Sequence, residues 1–222
     1  MRIGPGLART TPFAAFVVLM AVEPYLGQWV EPVLDPRWLY GFRSAVAALL
    51  IAALWPRYQE LRSAAAPARG PIWALAVATG VAVFALWIAL DVPPLVLGEP
   101  TGYDPRIDGR VHLGFALTRL AGSALVVPVA EELFWRSFLM RWLERSDFLH
   151  VAPREAGWKA LVITSAVFAL EHRLWFAGLL AGLAYGELYR RSGDLRVPIV
   201  AHALTNALLG AYVLGTGSWG FW

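Results

Sequence analysis

The chain contains no cysteine. That absence excludes disulfide staples, thiolate nucleophiles and Cys-ligated metals, and it leaves the redox compartment undetermined. Charge is also scarce. Only 16% of the 222 residues are Asp, Glu, Lys or Arg, where soluble domains carry about a quarter. Lysine is reduced to Lys159. Apolar residues fill the gap: 58% of the chain is hydrophobic and the mean hydropathy is +0.55. One soluble core cannot absorb that excess, so much of the chain must face lipid. Several of the eleven tryptophans (Trp29, Trp38, Trp55, Trp158, Trp219) stand near the ends of apolar runs. They fit aromatic belts at the two membrane surfaces. The formal net charge is +3, but the basic residues form no stripe and are scattered between apolar runs. They read as orientation signals, and nucleic acid is not an expected partner.

The apolar runs cover about Thr11 to Val30, Leu39 to Trp55, Ile72 to Leu90, Val111 to Glu144, Trp158 to His172, Leu174 to Arg190 and Pro198 to Leu214. The fourth is interrupted by Pro128, which reads either as a kink in one helix or as a break between two. The fold class expected is therefore all-α, a polytopic transmembrane bundle of seven or eight helices. It forms one integral membrane domain over 1–222, with N-terminal helices in 1–110 and the motif-bearing helices in 111–216. The first twenty residues carry no small-residue cleavage signature, so no removable signal peptide is expected. If the fourth run crosses once, Arg2 and Arg9, Arg57 to Arg69, Arg141 to Lys159 and Arg190 to Arg196 all fall on one side. The acidic Asp91 to Asp108 loop falls on the other. The basic side is expected to be cytoplasmic, in a multi-pass cell-membrane protein, with the bacterial cytoplasmic membrane as the setting.

Ionisable residues at membrane depth are costly and mark functional sites by default. They cluster here as Glu131–Glu132 with Arg136, Glu171–His172, and His202 with Asn206, beside a solitary Glu23. At 1.5 Å rise per residue, Glu131 lies roughly 21 Å from Arg145 and His172 roughly 21 Å from Trp158. His202 and Asn206 lie roughly 9 and 15 Å from Arg196. Three segments entering from one side can thus bring these groups to about one level. Glu131 and Glu132 point about 100° apart on a helix and cannot easily share one job. Glu132 and Arg136 have the i,i+4 order that favours an ion pair. Glu131 has no such partner and is free to face a cavity. A carboxylate beside imidazoles, away from water, suits general-base activation of a water molecule. His202 and Asn206 can donate hydrogen bonds to a developing oxyanion.

Taken singly, each residue has a plainer reading. A lone His in a span is most often a hydrogen-bonded core residue, and Asn206 alone would be interhelical glue worth about 1 kcal/mol. Glu23 reads as interfacial or paired, His112 and His150 as solvated, Glu187 as interfacial. Arg119 either snorkels or pairs. The co-occurrence of three clusters is what escapes these readings.

E-E-x-x-x-R (Glu131, Glu132, Arg136), F-x-x-x-H (Phe168, His172) and H-x-x-x-N (His202, Asn206), in that order, resemble the CAAX prenyl protease and bacteriocin-processing (CPBP) family of intramembrane glutamic endopeptidases. These are related to the Ras-converting, type II CAAX endopeptidases. The resemblance covers about Leu113 to Leu214. It implies a peptide hydrolase in which Glu131 activates water with help from His172. It also implies that His202 and Asn206 position substrate and stabilise the oxyanion, and that Glu132 and Arg136, with Phe168, support the site. It implies no cofactor, a membrane-associated peptide or protein as substrate, and the lipid bilayer as surroundings. Trp135 and Glu171 resemble a bacterial subgroup linked to exosortase-type sorting. Two alternatives use the same residues. A zinc-dependent version has the His, His, Glu donor set of catalytic zinc, but would leave no obvious base. A non-enzymatic chaperone, immunity or transport protein would use intramembrane Glu and His otherwise.

Overall fold

The computed structural model describes residues 3–62, 70–100 and 102–222, so the expected orientation charges Arg2 and Arg69 lie outside the described residues. Each apolar run folds as a helix, because in lipid a backbone satisfies its polar groups only within itself or a closed barrel. Helix α1 spans Pro5–Val30 and α2 spans Trp38–Leu54. The short α3 (Gln59–Arg62) precedes α4 (Gly70–Ala89). Helix α1 begins earlier than its apolar pattern, since Pro5 in the first turn forfeits no helical hydrogen bond.

The fourth run resolves as one continuous span, Leu113–Met140. It comprises α5 (Leu113–Ala121), a π segment (Gly122–Val126), α6 (Val127–Glu132) and a second π segment (Leu133–Met140). Pro128 therefore breaks nothing; the widened turn before it absorbs the missing N–H. Helices α7 (Trp158–Leu170), α8 (Trp175–Ser192) and α9 (Arg196–Thr216) complete the bundle. Among the described residues five helices are long and apolar enough to cross a membrane, and α7 is a shorter apolar helix. The chain is a helical membrane bundle.

The expected alternation of ends is visible in what each link touches. At one end the Arg9 guanidinium of α1 donates to Glu60 of α3 at 2.7 Å and to the Ser137 hydroxyl at 3.0 Å. Arg141, at the end of the long span, donates to the same hydroxyl at 2.9 Å. At the other end, Arg37 reaches the carbonyls of Asp104 and Arg106, and Arg173 pairs with Asp91 at 2.7 Å. There too Arg106–Ile107 and Arg110–Val111 form a small antiparallel hairpin around Asp108 and Gly109. Both turn residues have positive φ, the requirement of a two-residue hairpin turn.

Helix α4 lies along α9, and α7 along α8. Small residues set these approaches, as they do between membrane helices generally. A Cβ on Gly182 would sit 2.9 Å from the Ser165 backbone of α7, and one on Gly80 would sit 2.7 Å from the Ala201 carbonyl of α9. The remaining intramembrane charges find partners within the bundle. Glu23 of α1 pairs with Arg43 of α2. Arg119 lies 4.1 Å over the Tyr40 ring and 5.3 Å from that of Tyr103, two cation–π contacts.

Arg9 is not the solvated orientation charge its position suggests. It is buried, and with Glu60, Ser137 and Arg141 it forms a polar knot joining α1, α3 and the long span. Burial alone would push the Glu60 carboxyl up. Hydrogen bonds from Arg9, its positive charge and the Ser137 hydroxyl outweigh that and hold it below the ordinary carboxylate range. A depressed carboxyl contributes stability that is complete above its unfolded value and drains away as pH falls through its folded value. Three outcomes are expected from thermal unfolding in detergent. Glu60→Ala, which strands Arg9, loses roughly 3–5 kcal/mol at neutral pH. The wild type loses stability on acidification below the ordinary carboxylate range, and Glu60→Gln flattens that acid limb. Gly182→Val, by driving α8 off α7, lowers the unfolding temperature by the equivalent of roughly 1–3 kcal/mol.

Candidate active site

Helix α6 ends on Glu131 and Glu132, and their divergent directions separate two environments. Glu132 is fully buried. One of its oxygens lies 3.1 Å from Arg136 Nε, and the other lies 3.0 Å from His202 Nδ1 of α9. Arg136 in turn lies 4.7 Å over the Phe168 ring of α7 and donates to the Gly182 carbonyl of α8 at 3.4 Å. Four helical segments thus meet on one carboxylate–guanidinium pair. Paired in this way, two charges can be held out of water.

Glu131 faces the other way, into a cavity of about 80 Å³. Phe168, His172, Tyr185, His202 and Asn206 line it with Glu131. A water occupies about 30 Å³ in the liquid, so the cavity holds a few water molecules and little more. The Glu131 Oε2 atom is buried with no hydrogen-bond partner among the described residues, and it lies 3.9 Å from His202 Nε2. Glu132 and Glu171 place like charge near Glu131, and Arg136 opposite charge.

The F-x-x-x-H spacing has a local reason. His172 lies just past the end of α7, where its Nδ1 meets the Phe168 carbonyl at 2.8 Å. A carbonyl only accepts, so that nitrogen carries the proton, and Nε2 is left as the working atom. Trp87 of α4 holds the ring edge-on at 5.3 Å.

Asn206 is placed by the proline in the long span. The Val127 N–H reaches back to the Gly122 carbonyl in the π turn, and Pro128 has no N–H. The Ser123 carbonyl is therefore left without either helical donor, and Asn206 Nδ2 fills it at 2.8 Å. One amide hydrogen of Asn206 is spent on this contact and the second is free to serve the cavity.

The structure therefore brings Glu131, His172, His202, Asn206 and Phe168 to one cavity, with Glu132 and Arg136 behind it. Outside the site, His112 is exposed but caps α5 by accepting from the Phe115 N–H at 3.4 Å. His150 is exposed and pairs with Asp147, and Glu187 pairs with Arg190 and Arg191. Sequence reasoning did not find Tyr185. Its ring stacks on His202 with centroids 4.9 Å apart and 19° between planes, and its hydroxyl donates to Thr205 at 2.7 Å. The signal adjacent to it was the Gly178, Gly182, Gly186 repeat, which marks the face of α8 that packs closest. Among the described residues no three of His, Asp and Glu converge as a metal-holding group. Both Nδ1 atoms are already engaged, which leaves each ring its Nε2.

A polytopic helical bundle with a carboxylate, two imidazoles and an amide around a small cavity is the arrangement a membrane hydrolase would need. Residues 113–208, which carry all three motifs, match the family model for type II CAAX prenyl endopeptidase Rce1-like proteins. That match lies on the motif-bearing part of the chain and supports a CAAX-type membrane protease. No curated protein and no solved structure matches it.

The shared Glu132 makes Arg136 the residue whose loss strands a buried charge. Arg136→Ala is expected to cost roughly 3–5 kcal/mol, measured as a lower unfolding temperature and reduced accumulation in membranes. Arg136→Lys recovers part of the loss by restoring charge without the planar fork.

Proposed function

We propose that this chain is a glutamic intramembrane endopeptidase that cuts a peptide bond of a membrane-associated protein, without a metal. One observation carries the reading: a buried, unpartnered Glu131 oxygen faces two imidazoles and an amide in a cavity sized for water. Such a carboxylate serves as a general base. Glu131 takes a proton from water as the water oxygen bonds to the scissile carbonyl carbon. His172 stands beside that water in the cavity, and the free hydrogen of the Asn206 amide meets the developing oxyanion. When the tetrahedral intermediate collapses, the C–N bond breaks and protonated Glu131 returns its proton to the leaving amine. Glu132, Arg136 and Phe168 hold the helices in register for this sequence.

The basic end, where Arg9, Arg57, Arg141 and Arg190 gather, faces the cytoplasm in this reading, in the cytoplasmic membrane of a bacterium. The substrate is a peptide segment reaching the bilayer, and nothing requires it to be prenylated. The Trp135 and Glu171 pair keeps a partner in exosortase-type sorting among the substrates to seek.

Two measurements test this. Membrane proteomics comparing wild type with Glu131→Gln is expected to find an uncut precursor, with the variant accumulating normally. Full cellular function in the variant, or solute flux driven by a proton gradient, would replace the peptidase reading with a transport one. Cleavage by the purified chain is expected to survive exhaustive chelation. Loss restored specifically by zinc would overturn the metal-free mechanism.

A further inference from the structure

The resemblance gives His202 to the oxyanion and gives Glu132 to structural support. The geometry assigns both differently. We infer that Glu132 and Tyr185 are positioning residues that present the lone pair of His202 Nε2 to Glu131, so that the attacking water is held between Glu131 and His202. This rests on the peptidase reading above and specifies which atoms of that site work.

Three observations carry it. Glu132 Oε1 lies 3.0 Å from His202 Nδ1. A carboxylate paired with a guanidinium is an acceptor only, so Nδ1 bears the proton and the neutral ring has its lone pair on Nε2. An orienting carboxylate behind an imidazole serves the same purpose in serine hydrolase triads. Tyr185 then fixes the plane of the ring. It stacks at 4.9 Å and 19°, and is itself anchored through Thr205, whose hydroxyl donates to the Gly80 carbonyl at 2.9 Å. The chain of contacts runs from α4 through α9 to α8 and back to the imidazole. Finally, Nε2 and Glu131 Oε2 are 3.9 Å apart, too far for a direct hydrogen bond. A water about 2.8 Å from each would make an angle of about 90° at its oxygen, close to its own bond angle. It donates one hydrogen to the carboxylate and one to the imidazole, and its own lone pairs point away, toward a carbonyl carbon.

Glu132→Gln separates this arrangement from mere packing. Arg136, a donor only, claims the amide oxygen of the glutamine and turns its NH₂ toward Nδ1. The ring then shifts its proton to Nε2. The side chain keeps its volume, but the water loses one of its two acceptors.

The test uses the full chain, labelled with ¹⁵N-histidine, in lipid nanodiscs. With four histidines in the chain, His202→Gln assigns the resonance. Wild type is expected to show His202 protonated on Nδ1 and bare on Nε2, and Glu132→Gln the reverse. In the precursor assay, Glu132→Gln is expected to lower kcat by about 10²- to 10⁴-fold with KM little changed. Tyr185→Leu is expected to broaden or shift the His202 resonance and lower kcat, and Tyr185→Phe, which keeps the ring, to rescue most of that loss. A wild-type His202 carrying its proton on Nε2, or on both nitrogens, would overturn the inference. So would an unchanged tautomer and rate in Glu132→Gln, or a His202 resonance untouched by Tyr185→Leu. If Glu131→Gln still cuts the precursor, the peptidase reading itself fails. If Glu131→Gln is inactive and the tautomer is wrong, only this inference does.

Discussion

A carboxylate with no exposure to solvent, buried at membrane depth between a guanidinium and an imidazole, holds this molecule's chemistry in place. Glu132 draws Arg136 from its own helix and His202 from α9 onto one point. Arg136 extends the knot to Phe168 on α7 and Gly182 on α8. Removing water from such a group is expensive, and the expense is offset only if all its partners arrive together. The helices therefore cannot settle in another register without stranding a charge. Glu131, one residue away and rotated by about 100°, inherits a fixed position beside the cavity.

The same logic recurs at the basic end with different residues. Arg9, Glu60, Ser137 and Arg141 tie the first helix and the α3 link to the far end of the motif-bearing span. The two knots lie at opposite ends of the second π segment, Leu133–Met140. Pinned at Glu132–Arg136 and again at Ser137–Arg141, the widened helix has little freedom to rewind. The first π segment has its own purpose, because its turn and Pro128 together release the Ser123 carbonyl to Asn206. Irregular backbone in this span thus coincides with the site, as π segments often do.

Much of this was legible in the residues. The Glu132–Arg136 spacing declared an ion pair, and the angle between neighbouring glutamates declared that Glu131 faced elsewhere. Rise per residue placed three motifs at one level, and the alternation of basic and acidic links matched the ends at which those links now meet. What was not legible depended on contacts between distant helices. Tyr185 sits in an ordinary apolar run, and its stack on His202 exists only because the glycines of α8 let it lie close to its neighbours. Arg9 looked like a surface charge because its partner, Glu60, is in a link whose fold no periodicity announces. Pro128 left two readings open, since one sequence serves either a break or a π turn until the rest of the bundle chooses.

The central claim is that Glu131, His172 and His202 surround ordered water inside the membrane. An experimental density map of the full chain in lipid, at a resolution that shows water, tests it most directly. The account predicts a water within hydrogen-bond distance of both Glu131 and His202 Nε2, in a cavity closed to the bulk. Density for a metal ion at that point, a dry cavity, or a Glu131 side chain turned to lipid would contradict it.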